Sequence, residues 1–216
     1  MSEDDFNAGV LADEDPAAPA QEDSQVESVE DFSARDLANF GEPGAEEAEG
    51  PFAADETGLE GVAAATIAID LAQARAFLDD CMSSTPRVTY GLGAKVPFHG
   101  AIPGKNFRAV DCSGFIRELI WRSTTPHQGF PDGSVVQHDF VRDHGFEQTT
   151  REAALRQDGV VRIAFLRPQD SPQRIGHVVL IHNARTLESH GGVGPDSRAW
   201  TNTGWQAKAF VYVVKP

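Results

Sequence analysis

The distribution of charge along the chain most constrains what it can fold into. Of the 216 residues, the first 61 contain 19 aspartate or glutamate residues and one base, Arg35. A segment with this charge density and few aromatic residues cannot bury enough apolar surface to offset the entropy lost on ordering. We therefore predict that residues 1–61 form a disordered acidic segment. Residues 62–216, with 14 acids and 17 bases, are expected to form the folded domain.

One stretch of the acidic segment leaves two interpretations open. Residues 29–40, VEDFSARDLANF, place apolar residues at helical spacings, namely Val29, Phe32, Leu37 and Phe40. The stretch is either a docking segment that folds on a partner or part of a solvated tail. If residues 1–61 do dock, we expect the partner to be a delivery particle or a chaperone.

The N-terminus and the two cysteines argue against several classes of protein. The sequence MSEDDFNAGVLADEDP has neither the basic region nor the apolar core of a Sec signal peptide. The longest apolar run, residues 61–72, is too short to span a bilayer. Cys81 and Cys112 form no C-x-x-C pair, which argues against a disulfide scaffold and a thiolate zinc site. We expect no metal, no cofactor, no nucleic-acid partner and no membrane insertion.

The order of the predicted elements is typical of an α+β domain. Helical patterns cover residues 66–82, 112–122 and 131–145. Strand patterns follow at residues 159–168, in a hairpin at 176–192, and at 208–216. Because the helices come first and the antiparallel strands afterwards, we predict N-terminal helices packed on an antiparallel sheet.

A cysteine at a predicted helix start and two histidines in the predicted hairpin carry the candidate chemistry. Cys112 lies where free backbone amides and the partial positive charge of a helix N-terminus assist a nucleophilic thiol. If Asn183 and Ala184 form a two-residue turn, the pairing outward from the turn places His177 opposite His190. A thiol with two histidines indicates papain-type acyl transfer.

Such chemistry needs one imidazole to accept the thiol proton and a third polar group to orient that imidazole. His177 and His190 are the candidates for the two roles. Glu188, on the same strand as His190, is the alternative orienting residue. Asp111, directly before the cysteine, is expected to cap the helix.

Three short motifs occur in a specific order: DCSGF at 111–115, GHVVLIH at 176–182 and ESHGG at 188–192. In this order they resemble the NlpC-type cysteine peptidases, peptidoglycan hydrolases with a compact papain-like fold. The resemblance covers about residues 66–216. It implies that Cys112 is the nucleophile, His177 the base and His190 the orienting residue.

The resemblance also implies a substrate-binding and oxyanion group made of Tyr90, Asp111 and Ser113. TYGLG (89–93) is similar to the tyrosine–glycine segment that precedes the nucleophile in that family. One feature departs from the family pattern, because the interval of 22 residues from Tyr90 to Cys112 is longer than usual and contains VPFHGAIPGKNF. We expect this insertion to reshape the substrate groove.

The function implied by the resemblance is hydrolysis of the amide bond between D-glutamate and a diamino acid in peptidoglycan stem peptides. Two alternatives stay open: a thiol acyltransferase or deamidase/isopeptidase acting on protein side chains, and a non-catalytic assembly protein that docks through its acidic tail. A wall hydrolase made without a Sec signal would act at the cell wall or periplasm after non-Sec delivery, for example as a phage-type or injected antibacterial effector.

Overall fold

The computed structural model describes residues 67–214 of the chain. This part contains three α-helices and a six-stranded antiparallel sheet. The helices are α1 (Leu71–Ser83), α2 (Cys112–Ser123) and α3 (Ser134–Asp143). The mixed α+β class predicted from the sequence is confirmed. The predicted disorder of residues 1–61 concerns residues outside the described part. Within residues 67–214, no helix is both long enough and apolar enough to cross a membrane.

The sheet has the strand order β1-β6-β2-β3-β4-β5, and every pair of neighbouring strands is antiparallel. The strands are β1 (Gln148–Thr149), β2 (Arg162–Leu166), β3 (His177–His182), β4 (Arg185–His190), β5 (Gly194–Asp196) and β6 (Phe210–Val213). All residues of β2 and β3 are buried. This burial explains the apolar runs Ile163–Leu166 and Val178–Ile181 within them, because a strand covered on both faces has no polar side to present to water.

The helices cover one face of the sheet and a smaller apolar cluster covers the other. On the helix side, Phe115, Ile116 and Leu119 of α2 belong to one core with Val178 and Leu180 of β3. On the opposite face, a second cluster contains alternate residues of β3 and a tryptophan, among them Val179, Ile181 and Trp200. The alternation follows from the two-residue period of a strand.

Two helix starts differ from the sequence-based expectation. The first helix begins at Leu71 rather than near Thr66, because the Asp70 carboxylate accepts hydrogen bonds from the Ala72 and Gln73 amides and so supplies the cap. Helix α3 has Gly133 as its N-cap and no side-chain cap bond. The carboxylate of Asp132, the residue before that cap, pairs with Arg117 of α2.

The hairpin between β3 and β4 has the predicted two-residue turn. Asn183 and Ala184 have φ angles of 50° and 59°, as a type I′ turn requires at both central positions. The ladder beyond the turn pairs His182 with Arg185, Ile181 with Thr186 and Leu180 with Leu187. Near the turn this is the register predicted from the sequence. The paired residues end at Leu180 and Leu187, so the ladder does not contain the predicted pair of His177 and His190, and residues 188–190 pair with β5. The register still carries His177 and residues 188–190 to the end of the hairpin that is remote from the turn.

The close approach of β5 to the segment before Tyr90 gives a stability prediction. A Cβ atom at Gly194, where φ is 103°, would lie 2.7 Å from the Thr89 carbonyl carbon and from the Val88 carbonyl oxygen. We expect Gly194→Ala to lower the free energy of unfolding by about 1–3 kcal/mol, because neither backbone atom can move aside cheaply. Chemical denaturation of the two proteins measures the difference.

The matched control is Gly129→Ala, since a Cβ atom at Gly129 would meet nothing within 4 Å. This control should change stability by no more than about 0.5 kcal/mol. Equal losses in the two variants would contradict the close packing of β5 on residues 88–89.

Candidate active site

Cys112 is the first residue of α2. Bonds of the preceding residue, Asp111, hold its backbone, and its side chain faces the start of β3. Its neighbour Asp111 caps the helix, as predicted, by accepting a hydrogen bond of 2.6 Å from the Gly114 amide. The Asp111 amide in turn donates to the Ala94 carbonyl oxygen at 2.8 Å. The Cys112 residue is 5% exposed, and its Sγ lies 4.0 Å from the carbonyl oxygen of Gly176, the residue before β3. The start of α2 therefore meets the start of β3.

His177 lies between the thiol and a buried carboxylate. Its Nε2 donates a hydrogen bond of 2.8 Å to Oε2 of Glu188, which leaves Nδ1 as the ring nitrogen for its hydrogen bond with Cys112. Burial lowers the pKa of His177, but the bonds to Cys112 and Glu188 outweigh burial and raise that pKa to about 9. The ring is therefore an imidazolium, with a proton on each nitrogen, at neutral pH, and it loses one of the two protons as the pH rises through about 9.

Glu188 is fully buried and completely surrounded by donors. Besides the bond from His177, its carboxylate accepts from the Thr186 hydroxyl at 2.5 Å and from Arg198 through Nε at 3.0 Å and Nη2 at 2.8 Å. Burial raises the pKa of Glu188, whereas the bond from His177 and the charge of Arg198 hold it well below its usual range. The carboxylate therefore stays ionised and fixes the orientation of the imidazole.

His190 lies two residues beyond Glu188 on β4, on the same face of the strand. Its Nδ1 is 3.0 Å from the Gly191 carbonyl oxygen, and its Nε2 is 3.5 Å from Oδ2 of Asp196. Burial and the charge of Arg198 lower the pKa of His190. Glu188, the alternative orienting residue, is thus the partner of His177 Nε2. His190 lies beside that pair.

Tyr90 lies close to the thiol despite the long interval that separates them in sequence. The Thr89 amide donates to the Arg108 carbonyl oxygen at 2.9 Å, and the Val110 amide donates to the Thr89 carbonyl oxygen at 3.0 Å. The two ends of the insertion are thereby held side by side. Burial and the nearby charges of Cys112 and Asp111 raise the pKa of the Tyr90 hydroxyl, which therefore remains protonated and able to donate a hydrogen bond.

Asp111 and Ser113 are engaged by a lysine that sequence reasoning did not identify. Lys95 Nζ lies 2.6 Å from Oδ2 of Asp111 and 2.7 Å from Oγ of Ser113. Both partners are buried. No sequence pattern links Lys95 to this site, because it lies directly before the insertion, outside any helix or strand. The partly exposed ammonium group of Lys95 therefore lies against the first turn of α2, next to Cys112.

Two tryptophans pack beside His177. The ring of Trp205 meets His177 edge-on, with centroids 5.0 Å apart, and Trp200 packs against Trp205 at 5.8 Å. Trp200 is buried and Trp205 half-buried, so the pair shields one side of the imidazole from water.

Both cysteines are unpaired thiols. Within residues 67–214, no group of three or more His, Cys, Asp or Glu side chains is arranged to hold a metal ion.

The contacts of His177 give a titration prediction that separates Glu188 from His190. We expect Glu188→Gln to lower the pKa of His177 from about 9 by about one unit or more, because the amide removes the negative charge that stabilises the imidazolium. His190→Asn should leave the midpoint near its original value. An NMR titration of labelled full-length protein measures both. A midpoint that moves with His190→Asn and not with Glu188→Gln would assign the orienting role to His190.

Known proteins add no constraint on the function of this site. Comparison of the chain with models of known protein families and with curated protein sequences gave no match. The geometry of Cys112, His177 and Glu188 and the motifs around them are therefore the features that indicate what the site does.

Proposed function

We propose that this protein is a papain-like thiol hydrolase that cleaves amide bonds in the stem peptides of bacterial peptidoglycan. The observation that carries the proposal is the connected series of Cys112, His177 and Glu188. An imidazole bonded to a thiol on one side and to an ionised carboxylate on the other is the arrangement that activates a cysteine for acyl transfer.

In the first half of the reaction, Cys112 Sγ attacks the carbonyl carbon of the scissile amide. The thiol proton resides on Nδ1 of His177, and the amide oxygen takes up the negative charge as the tetrahedral intermediate forms. His177 then delivers this proton to the leaving amine as the carbon–nitrogen bond breaks, which leaves a thioester on Cys112. Glu188 retains the proton on Nε2 and holds the ring in place throughout.

In the second half, His177 accepts a proton from a water molecule, whose oxygen attacks the thioester carbonyl. The carbon–sulfur bond breaks, the carboxylic acid product leaves, and the proton returns to the Cys112–His177 pair. The oxyanion formed in each half lies near the first turn of α2, where backbone amides lack intrahelical acceptors. We assign the Cys112 amide and the Tyr90 hydroxyl as its hydrogen-bond donors.

The identity of the substrate is supported by the resemblance of three motifs to those of the NlpC-type peptidases. DCSGF, GHVVLIH and the later ESHGG carry the thiol, the imidazole and the carboxylate of the site, and their order is that of the NlpC-type peptidases. On this basis the scissile bond is the one between D-glutamate and the diamino acid of the stem peptide.

Removal of the Cys112 thiol tests the proposed nucleophile. We expect Cys112→Ala to reduce the release of soluble muropeptides from purified peptidoglycan by at least about 10³-fold, because no other group replaces the thiol. Mass spectrometry of the products identifies the bond that is cut. The matched control is Cys81→Ala, since Cys81 is a fully buried thiol on α1, and this variant should keep its activity.

Identical product profiles from the wild type and Cys112→Ala would contradict the hydrolase proposal. Transfer of the acyl group to an added amine, without release of the free acid, would indicate an acyltransferase.

Removal of the Tyr90 hydroxyl tests its assigned role as a donor to the oxyanion. If its hydroxyl donates to the oxyanion, Tyr90→Phe should lower kcat by about 10²-fold with little change in KM, because the bond is made in the transition state. Steady-state kinetics on a purified stem peptide measures both constants. A rise in KM at constant kcat would instead place the hydroxyl on the ground-state substrate.

A further inference from the structure

Arg198 bonds to both oxygens of the carboxylate that orients the imidazole. Its Nε lies 3.0 Å from Oε1 of Glu188, and its Nη2 lies 2.8 Å from Oε2. Two N–H groups of one guanidinium on one carboxylate form a bidentate pair, which is stronger and more directional than a single hydrogen bond. Oε2 also accepts from Nε2 of His177, so the guanidinium and the imidazole share this oxygen.

The main chain of Arg198 is fixed to the strand that carries Glu188. The Arg198 amide donates to the Thr186 hydroxyl oxygen at 2.9 Å, and the Thr186 amide donates to the Arg198 carbonyl oxygen at 2.8 Å. The Thr186 hydroxyl in turn donates to Oε1 of Glu188, and Thr186 is fully buried. The guanidinium is therefore held against the carboxylate by bonds of its own backbone to β4.

The two cations bonded to Glu188 differ in how long they keep their charge. His177 is an imidazolium in the resting site, but in the proposed reaction it gives one proton to the leaving amine and is neutral until it takes a proton from water. The guanidinium of Arg198 stays charged throughout, because its pKa lies far above neutral pH. Glu188 is fully buried, so its charge needs a counter-ion in both states of the imidazole.

The other titratable groups around Glu188 do not supply this counter-ion. Cys112 bonds to the imidazole rather than to the carboxylate. His190, on the same face of β4, has a pKa that burial and the charge of Arg198 lower. Asp196 of β5, which lies 3.5 Å from Nε2 of His190, is itself an acid. Among the described residues, Arg198 is the one base that bonds to Glu188 and keeps its charge through the reaction.

We propose that Arg198 is a positioning residue that keeps Glu188 ionised while His177 is neutral, an inference that rests on the proposed function. An ionised Glu188 accepts a bond from Nε2–H, which leaves Nδ1 without a proton and able to take one from water. A protonated Glu188 would instead donate to Nε2, and the ring proton would lie on Nδ1, the nitrogen that must act as the base. Arg198 thereby selects the tautomer that allows hydrolysis of the thioester.

Carbon-13 NMR of the Glu188 carboxyl carbon in labelled full-length protein tests the central step without any substrate. The resonance is assigned by its absence in Glu188→Gln. In His177→Phe, which replaces the imidazole by an uncharged ring, we expect Glu188 to stay ionised at every pH above about 5, because Arg198 is still present. Protonation of Glu188 near neutral pH in this variant would overturn the proposal.

Two additions to His177→Phe separate the charge of Arg198 from the loss of any arginine. Arg198→Gln should raise the pKa of Glu188 by about two units or more, which is about 100-fold in proton affinity, because only neutral donors then oppose the effect of burial. The matched control is Arg185→Gln, since Arg185 is an exposed arginine of β4 that bonds to Ser197. It should change the pKa by no more than about 0.5 unit. Equal shifts in the two proteins would overturn the role of Arg198.

Kinetics of the single variants measure the consequence for the reaction. Arg198→Gln should lower kcat by about 10²-fold with little change in KM, and acid-quenched samples should contain a larger fraction of the Cys112 thioester. Arg198→Lys, which keeps the positive charge, should recover about tenfold or more of the lost kcat. A loss of kcat that Arg198→Lys does not recover, or a rise in KM alone, would overturn the positioning role.

Failure of this inference and failure of the proposed function give different results. If the wild type does not hydrolyse stem peptides, the carboxyl titrations still decide whether Arg198 keeps Glu188 ionised. If the wild type hydrolyses them but Arg198→Gln leaves the pKa of Glu188 unchanged in the His177→Phe protein, the proposed function stands and the role of Arg198 is overturned.

Discussion

The hydrogen bond between Nε2 of His177 and Oε2 of Glu188, 2.8 Å long and buried, is the contact on which the rest of the site depends. A carboxylate with no exposed surface costs several kcal/mol of desolvation unless donors surround it. Thr186 and Arg198 supply those donors in addition to His177. Together with the bond to Cys112, the ionised carboxylate keeps the imidazole protonated and oriented toward Cys112, so the same contact compensates the buried charge and sets the geometry of the site.

Three parts of the fold bring this pair to the thiol. The two-residue turn at Asn183 and Ala184 sets the register that brings β3 and β4 side by side. The Ser189 hydroxyl of β4 donates to the Val110 carbonyl oxygen at 2.7 Å, which joins the hairpin to the chain just before α2. Gly194 of β5 lets that strand approach the segment that carries Tyr90. The Ser189 bond and Gly194 are buried, so two strands of the sheet hold the site against the chain that precedes α2.

The parts of the site that local patterns determine were predictable from the sequence. The helix start at Cys112, its cap at Asp111 and the register of the hairpin follow from capping and turn preferences over a few residues. The choice between Glu188 and His190 was not predictable, because both lie on the same face of β4. It depends on Arg198, which reaches Glu188 from beyond β5. The contacts of Lys95 with Asp111 and Ser113 were not predictable either. Contacts between segments far apart in sequence leave no periodic signal.

Mass spectrometry of the full-length protein, after acid quenching of its reaction with a purified stem peptide, detects the thioester itself. We predict one covalent adduct with the mass of the acyl fragment, located on the peptide that contains Cys112, which accumulates in the wild type but not in His177→Ala. An adduct on any other residue, or turnover by a Cys112→Ala protein, would contradict it.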